Sequence, residues 1–220
     1  SGIEKQYERA LVGSTGFEEV EIDAHGRTLR TISREGAIPG DNLRLTIDIE
    51  LQREARRALG ASRGAVVAMD PSNGEVLAMV SNPSFDPNLF VDGIDHATYS
   101  ALRSLKDKPF LNRALHGRYA PGSTIKPIFA EVVIEEGIDP EESVFCPGWY
   151  MLPGSTRQYR CWKKTGHGRV DLHAAIEQSC DVYFYEMGKR LGIGQMSGVL
   201  KKFGLGSQSG VDLPGEPDGL

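Results

Sequence analysis

The sequence predicts an α+β protein, and three observations carry that reading. Two apolar strand-like runs, 64–70 and 75–81, are joined by the turn Pro71-Ser72-Asn73-Gly74. Stretches of helical periodicity follow at 126–137, 170–192 and 195–203. Strands therefore come first and helices later, rather than alternating as they would in a doubly wound sheet.

From the start, residues 3–11 read as a short helix. Val20-Glu21-Ile22-Asp23 alternates as a strand, Ala24-His25-Gly26 as a turn, and 27–33 as a second strand, giving a hairpin on a stalk. Ile38-Pro39-Gly40-Asp41 is rich in turn residues and marks a boundary, so 1–41 is expected to form a stalk segment and 42–220 the larger domain. There, 43–48 alternates as a strand and 49–59 is amphipathic with helical period. The two strands after it should form the central hairpin of the sheet, with Pro71 presetting φ and Gly74 free to make it positive. Asp171 is the candidate N-cap of the next long helix, which should break near Ser179.

With 220 residues, 40% of them hydrophobic, the chain can bury one good core and a small appendage. The net charge of −5 is spread over both signs without basic clusters, which leaves a nucleic-acid partner without support. No apolar run is long enough to span a bilayer and no signal peptide opens the chain, so it reads as a piece of a longer protein.

Chemistry concentrates in Pro121-Gly122-Ser123-Thr124-Ile125-Lys126-Pro127 and, further on, in Glu177-Gln178-Ser179-Cys180-Asp181. A serine hydroxyl becomes a useful nucleophile only when a group within hydrogen-bond reach takes its proton. Residues three apart share a helix face, so Lys126 can serve Ser123 if Pro121-Gly122 breaks the chain and the helix starts at Ser123, to stop at Gly137. The helix N-terminus would then present N–H groups to an oxyanion formed there. Ser-x-x-Lys alone is weak evidence and is more often a solvated helix start; Ser179 and Asp181 add a second hydroxyl and carboxylate opposite it.

Cys146, Cys161, His167 and Cys180 follow Cys-x14-Cys-x5-His-x12-Cys. These are the ligand types of a closed tetrahedral zinc site, although the spacing is not that of a finger. A Cys146–Cys161 disulfide with Cys180 free, or three inert buried thiols, remain open alternatives. A bound Zn2+ would brace Ser179 structurally. His25, His96, His116 and His173 read as ordinary surface or helix histidines.

The Ser123 and Ser179 motifs, with Asn112-Arg113-Ala114, Arg63-Gly64-Ala65-Val66-Val67-Ala68-Met69-Asp70, Asn73-Gly74-Glu75-Val76-Leu77-Ala78, Pro83-Ser84-Phe85-Asp86-Pro87-Asn88 and Cys146-Pro147-Gly148-Trp149, resemble the class B penicillin-binding proteins, D,D-transpeptidases, of the elongation or penicillin-binding protein 2 type. The resemblance runs nearly end to end. It implies the penicillin-binding transpeptidase fold, an acyl-enzyme on Ser123, Lys126 as base, Ser179 relaying the proton, and Asp181, where most relatives have Asn, orienting Lys126 or substrate. Acyl transfer would need no cofactor. Implied ligands and partners are peptidoglycan stem peptides, β-lactams, a membrane glycan polymerase of the shape, elongation, division and sporulation class, and other elongation-complex proteins. Implied location is the bacterial periplasm, with an inner-membrane anchor before Ser1. A third family motif, Lys-Thr-Gly, is expected after Leu220; the string Lys164-Thr165-Gly166 precedes Ser179, lies among loop-forming residues, and is taken as coincidental. A β-lactamase, a β-lactam sensor and a non-catalytic scaffold are the rival readings.

Overall fold

A computed structural model describes residues 2–219. The chain forms two compact units, Ser1–Arg118 with Gly210–Pro217, and Tyr119–Ser209 with Asp218–Leu220. The α+β class holds in the elements themselves.

The first unit opens with two four-residue helices, α1 (Ile3–Gln6) and α2 (Glu8–Leu11), where one was expected. Tyr7 (φ −107°, ψ 19°) separates them, its backbone leaving the helical region. Strands β1 (Phe17–Ile22) and β2 (Thr28–Glu35) make the expected antiparallel hairpin, exposed along its whole length. Asp23 closes its turn: Oδ1 accepts the backbone N–H of His25 (2.8 Å) and of Arg27 (3.0 Å).

Residues 43–48 do not form the expected strand. Asp48 N–H reaches Leu77 O at 2.9 Å, but Thr46 spends its side-chain hydroxyl on Val76 O (2.6 Å), so no regular ladder develops. Asp48 instead caps α3 (Ile49–Leu59), accepting from the N–H groups of Glu50 and Leu51, and the helix ends where the sequence reading put it. It packs on β4 (Val76–Asn82), which pairs with β3 (Gly64–Met69). That pair was expected to be central to a sheet; among the described residues it is a two-stranded ribbon. Helices α4 (His96–Ser104) and α5 (Arg113–His116) complete the unit, and His116, which showed no partner in the sequence, holds Gly215 O with its Nε2 at 2.8 Å.

The second unit carries the chemistry-bearing residues. A 3-10 turn, Gly122–Ile125, leads into α6 (Lys126–Glu135), so Ser123 lies on the tighter turn before the α-helix rather than in its first turn. Pro127 falls in the first turn of α6, where its missing N–H costs nothing. Short antiparallel pairs follow: β5 (Val144–Cys146) with β8 (Gly168–Val170), and β6 (Trp149–Met151) with β7 (Gln158–Arg160). Then α7 (Leu172–Glu177), capped by Asp171 Oδ1 on Ala174 N–H at 2.8 Å, gives way at Ser179 to α8 (Asp181–Lys202), itself interrupted at Gly192. Both breaks match expectation. The core joins Val133 of α6 to Val170, Ala175, Val182, Tyr183 and Met187, and all three cysteines belong to it.

Candidate active site

Two elements bring the catalytic candidates together. The 3-10 turn offers Ser123 at the surface, one turn before Lys126, which α6 buries to 8% exposure. The α7–α8 corner supplies the rest, because Ser179 takes a left-handed conformation (φ +51°) that few residues other than glycine, asparagine and aspartate adopt readily. That corner turns Ser179 Oγ to within 3.0 Å of Ser123 Oγ.

Lys126 Nζ sits beneath this pair. It donates to Asp181 Oδ1 (2.6 Å), Ser179 O (2.8 Å) and Ser179 Oγ (3.1 Å), matching the three donors of an ammonium to three acceptors. The ring of Phe184 lies 5.6 Å away, a cation–π contact. Asp181 Oδ2 accepts the backbone N–H of Trp162 at 3.2 Å, so both of its oxygens are engaged. Sequence spacing suggested that Lys126 would reach Ser123 along one helix face; among the described residues the connection runs through Ser179 Oγ instead.

The hydroxyl chain therefore has a direction, Lys126 to Ser179 to Ser123. Activation of Ser123 requires the reverse: Ser123 O–H donates to Ser179 Oγ, whose own proton goes to a neutral Lys126. A neutral amine keeps two donors, enough for Ser179 O and Asp181, so only the contacts to the Ser179 hydroxyl change polarity.

Beside these groups a cavity of about 670 Å³ opens over Ser123 and Lys126, walled by Phe129, Tyr150, Tyr159 and Tyr185. Tyr150 is anchored by its hydroxyl to Glu186 Oε2 (2.9 Å); Arg190 holds the other oxygen of Glu186 (3.2 Å) and reaches Glu142 (2.6 Å). Nothing in the sequence singled out this wall or Phe184: Phe129, Phe184 and Tyr185 lie on helices, where aromatic residues read as core, and Tyr150 and Tyr159 lie on three-residue strands.

Cys146, Cys161, His167 and Cys180 place one ligand atom each within 4.8 Å of one another. His167 Nδ1 lies 3.6 Å from Cys146 Sγ and 3.5 Å from Cys161 Sγ. Tetrahedral zinc with Zn–S near 2.3 Å and Zn–N near 2.0–2.1 Å places sulfur and nitrogen about 3.5 Å apart, so the set fits that metal in type and spacing. All three thiols are free, and the Cys146–Cys161 disulfide is not formed. Burial, followed by weaker effects of the neighbouring thiols, pushes the Cys180 thiol up to about 12; burial, then the charge of Lys163, holds the imidazole of His167 below its ordinary value. The 164–166 string lies in the loop around this cluster, as a turn and not a strand. Gly166 (φ +79°) presses against Cys146 O, where a Cβ would come within 2.2 Å.

Residues 64–220 match the penicillin binding protein transpeptidase domain, and residues 1–45 the penicillin-binding protein dimerisation domain. The chain belongs to the penicillin-binding protein transpeptidase family. Among curated relatives, it is 50% identical over its full length to the peptidoglycan D,D-transpeptidase MrdA of Acinetobacter baumannii, covering 33% of that protein. It is 45% identical to the Escherichia coli K12 protein of the same name, covering 99% of this chain and 35% of that one. The chain thus spans about a third of these penicillin-binding proteins. Among solved structures it resembles Helicobacter pylori PBP2 bound to MreC (TM-score 0.86, 35% identity, 99% of this chain and 41% of that one). Pseudomonas aeruginosa PBP2 is also similar (TM-score 0.78, 47% identity, 84% and 41%).

Proposed function

We propose that this chain is the nucleophile-bearing part of an elongation-type peptidoglycan D,D-transpeptidase. The observation that carries the reading is the continuous path from Ser123 Oγ through Ser179 Oγ to a buried Lys126. Ser123 Oγ attacks the carbonyl carbon between the two terminal D-alanines of a stem peptide, its proton passing through Ser179 to Lys126. The backbone N–H of Ser123 is one donor to the oxyanion. The C–N bond breaks, D-alanine leaves with the proton returned along the same path, and an amine from a neighbouring stem displaces Ser123 from the ester. β-Lactams acylate Ser123 because their strained amide presents the same carbonyl. Asp181 holds Lys126 in place throughout.

In this reading, residues 1–41 are the stalk and 42–220 the N-terminal portion of the transpeptidase domain. Cys146, Cys161, His167 and Cys180 would hold one structural Zn2+, which would cross-link the loop of Cys146 and Cys161 to the turn carrying Ser179 and would take no step of the reaction. The partners are a membrane glycan polymerase and other elongation-complex proteins: a similar Helicobacter pylori PBP2 chain was solved in complex with MreC, and another similar chain belongs to a structure of a peptidoglycan synthase complex that coordinates polymerization and crosslinking. The place of action in this reading is the bacterial periplasm, on an inner-membrane anchor, supported by the similarity to the peptidoglycan D,D-transpeptidases of Acinetobacter baumannii and Escherichia coli.

Incubation with fluorescent penicillin, followed by intact mass, tests the nucleophile. A stable adduct that Ser123→Ala abolishes is expected; an adduct surviving in Ser123→Ala would move the nucleophile elsewhere, and rapid loss of the label would point to a hydrolase.

A further inference from the structure

We propose that Trp162 is a positioning residue for Ser179, acting through its indole N–H on the peptide group that precedes it. The inference rests on the acyl-transfer roles proposed above for Ser123, Lys126 and Ser179.

Trp162 is 63% exposed, so filling the core is not its main role. Its contacts are directional instead. The backbone N–H donates to Asp181 Oδ2 at 3.2 Å, and the indole Nε1–H donates to Gln178 O at 2.9 Å. The ring also meets the His167 imidazole edge to face, with centroids 5.4 Å apart. One residue therefore grips the α7–α8 corner at both ends, on either side of Ser179 and Cys180, and its neighbour in the chain is Cys161 of the Cys/His cluster.

The carbonyl of Gln178 and the N–H of Ser179 share one rigid peptide plane. The φ of Ser179 is the rotation that follows that plane, and at +51° it lies in a region costly for a residue with a Cβ. Such a conformation persists only where its surroundings determine it. The indole holds this plane at Gln178 O (2.9 Å) and Ile176 O holds it at Ser179 N–H (3.1 Å), while the next peptide group is held at Ser179 O by Lys126 Nζ (2.8 Å). A rotation of that plane would swing Ser179 Oγ away from Ser123 and Lys126 together, since it bonds both, at 3.0 and 3.1 Å. Reactions that depend on a preset geometry are sensitive to displacements of this kind.

Two variants of the full-length protein separate the N–H from the ring. Trp162→Phe keeps an aromatic ring beside His167 and removes the donor. Trp162→His removes the six-membered ring, but its Nε2 occupies the same place relative to Cβ as the indole Nε1, because both nitrogens lie at the same position of a five-membered ring. The measurement is the limiting rate of Ser123 acylation by fluorescent penicillin, with its half-saturating concentration, the thermal midpoint and the metal content of each protein. Trp162→Phe should lower the limiting rate about fivefold, the worth of a partly exposed hydrogen bond, at unchanged half-saturation and metal content. Trp162→His should return it to within about twofold of the parent rate, on the same scale.

Acylation of Trp162→Phe at the parent rate overturns the inference, as does Trp162→Phe reacting as fast as or faster than Trp162→His. That ordering decides even where both variants lose stability, because a packing role favours Phe and a donor role favours His. If the unmutated protein takes up no label at Ser123, the acyl-transfer reading itself fails and the role of Trp162 falls with it.

Discussion

Lys126 Nζ lies 2.6 Å from Asp181 Oδ1, in a pair whose side chains are 10% and 23% exposed. At that burial each charge depends on the other, because removing one leaves its partner poorly solvated. Asp181→Ala should therefore cost about 2 kcal/mol, a fall in thermal midpoint of roughly 6 °C for a chain of this size. Asp181→Asn should cost less, since one amide oxygen can still accept from Lys126, while the amide nitrogen then faces the Trp162 N–H. Scanning calorimetry of the two variants beside the parent checks the order; midpoints equal to the parent's for both variants would show that the pair contributes nothing.

Ser179 combines a hydroxyl that bonds both Ser123 and Lys126, the proposed proton relay, with a left-handed backbone, and the two can be separated. Ser179→Ala removes the hydroxyl and keeps the strain; Ser179→Gly removes both. Each should slow acylation about 100-fold, the usual scale for a lost proton-transfer group. The Gly variant should nonetheless be more stable than the Ala variant by about 1 kcal/mol, because glycine adopts φ +51° without a Cβ clash. Denaturant melts of the pair are the test, and an Ala variant as stable as the Gly variant would contradict strain at this corner.

Burial pushes the Glu186 carboxyl up, but hydrogen bonds from Tyr150 and Arg190 outweigh it and hold the group below its ordinary 4.5. A folded value below the unfolded one means that the unfolded chain binds the proton first, so the stabilisation is present above about 4.5 and is lost as pH falls through the folded value. Glu186→Gln should be less stable than the parent at neutral pH and converge with it in acid. Thermal midpoints from pH 7 down to about 3 follow the difference; a gap that stays constant across that range would exclude Glu186 as its source.

The sequence carried those parts of the molecule that depend on neighbours along the chain. Helix α3 was legible to the residue because its apolar period and its end are local, and Asp171 was legible as a cap for the same reason. The break at Ser179 and the turn character of 164–166 were likewise written nearby. Residues 43–48 misled because alternation specifies a strand face and not a ladder partner, and Thr46 took the Val76 carbonyl for its side chain. Within the site, residue types identified Ser123, Lys126, Ser179, Asp181 and the Cys/His set as candidates. The path through Ser179 Oγ, the grip of Trp162 and the Tyr150–Glu186–Arg190 chain join residues sixteen or more positions apart in all but one link, and no local period encodes them. A tryptophan directly after a candidate metal ligand, Cys161, was the one available signal for Trp162.

Gly166 sits against Cys146 O in a left-handed conformation, so Gly166→Ala is strained twice, by φ +79° and by a Cβ 2.2 Å from a backbone oxygen. The cost should reach about 3 kcal/mol, and the loop carrying His167 must shift to relieve it. Purified protein should contain one zinc per chain by atomic emission, and Gly166→Ala less. Full metal content in the variant would show that the loop yields without disturbing the ligands; no metal in the parent would leave the cluster as buried thiols.

The corner between α7 and α8 gives four consecutive residues four different obligations: the Gln178 carbonyl to Trp162, the Ser179 hydroxyl to Ser123, the Cys180 thiol to the cysteine cluster, and the Asp181 carboxylate to Lys126. Each points a different way from a backbone with no slack. Substitution at any one position damages one function, whereas inserting or deleting a single residue would misdirect all four at once. The spacing of this segment is therefore under tighter constraint than its composition, and tolerated changes in loop length should arise elsewhere in the chain.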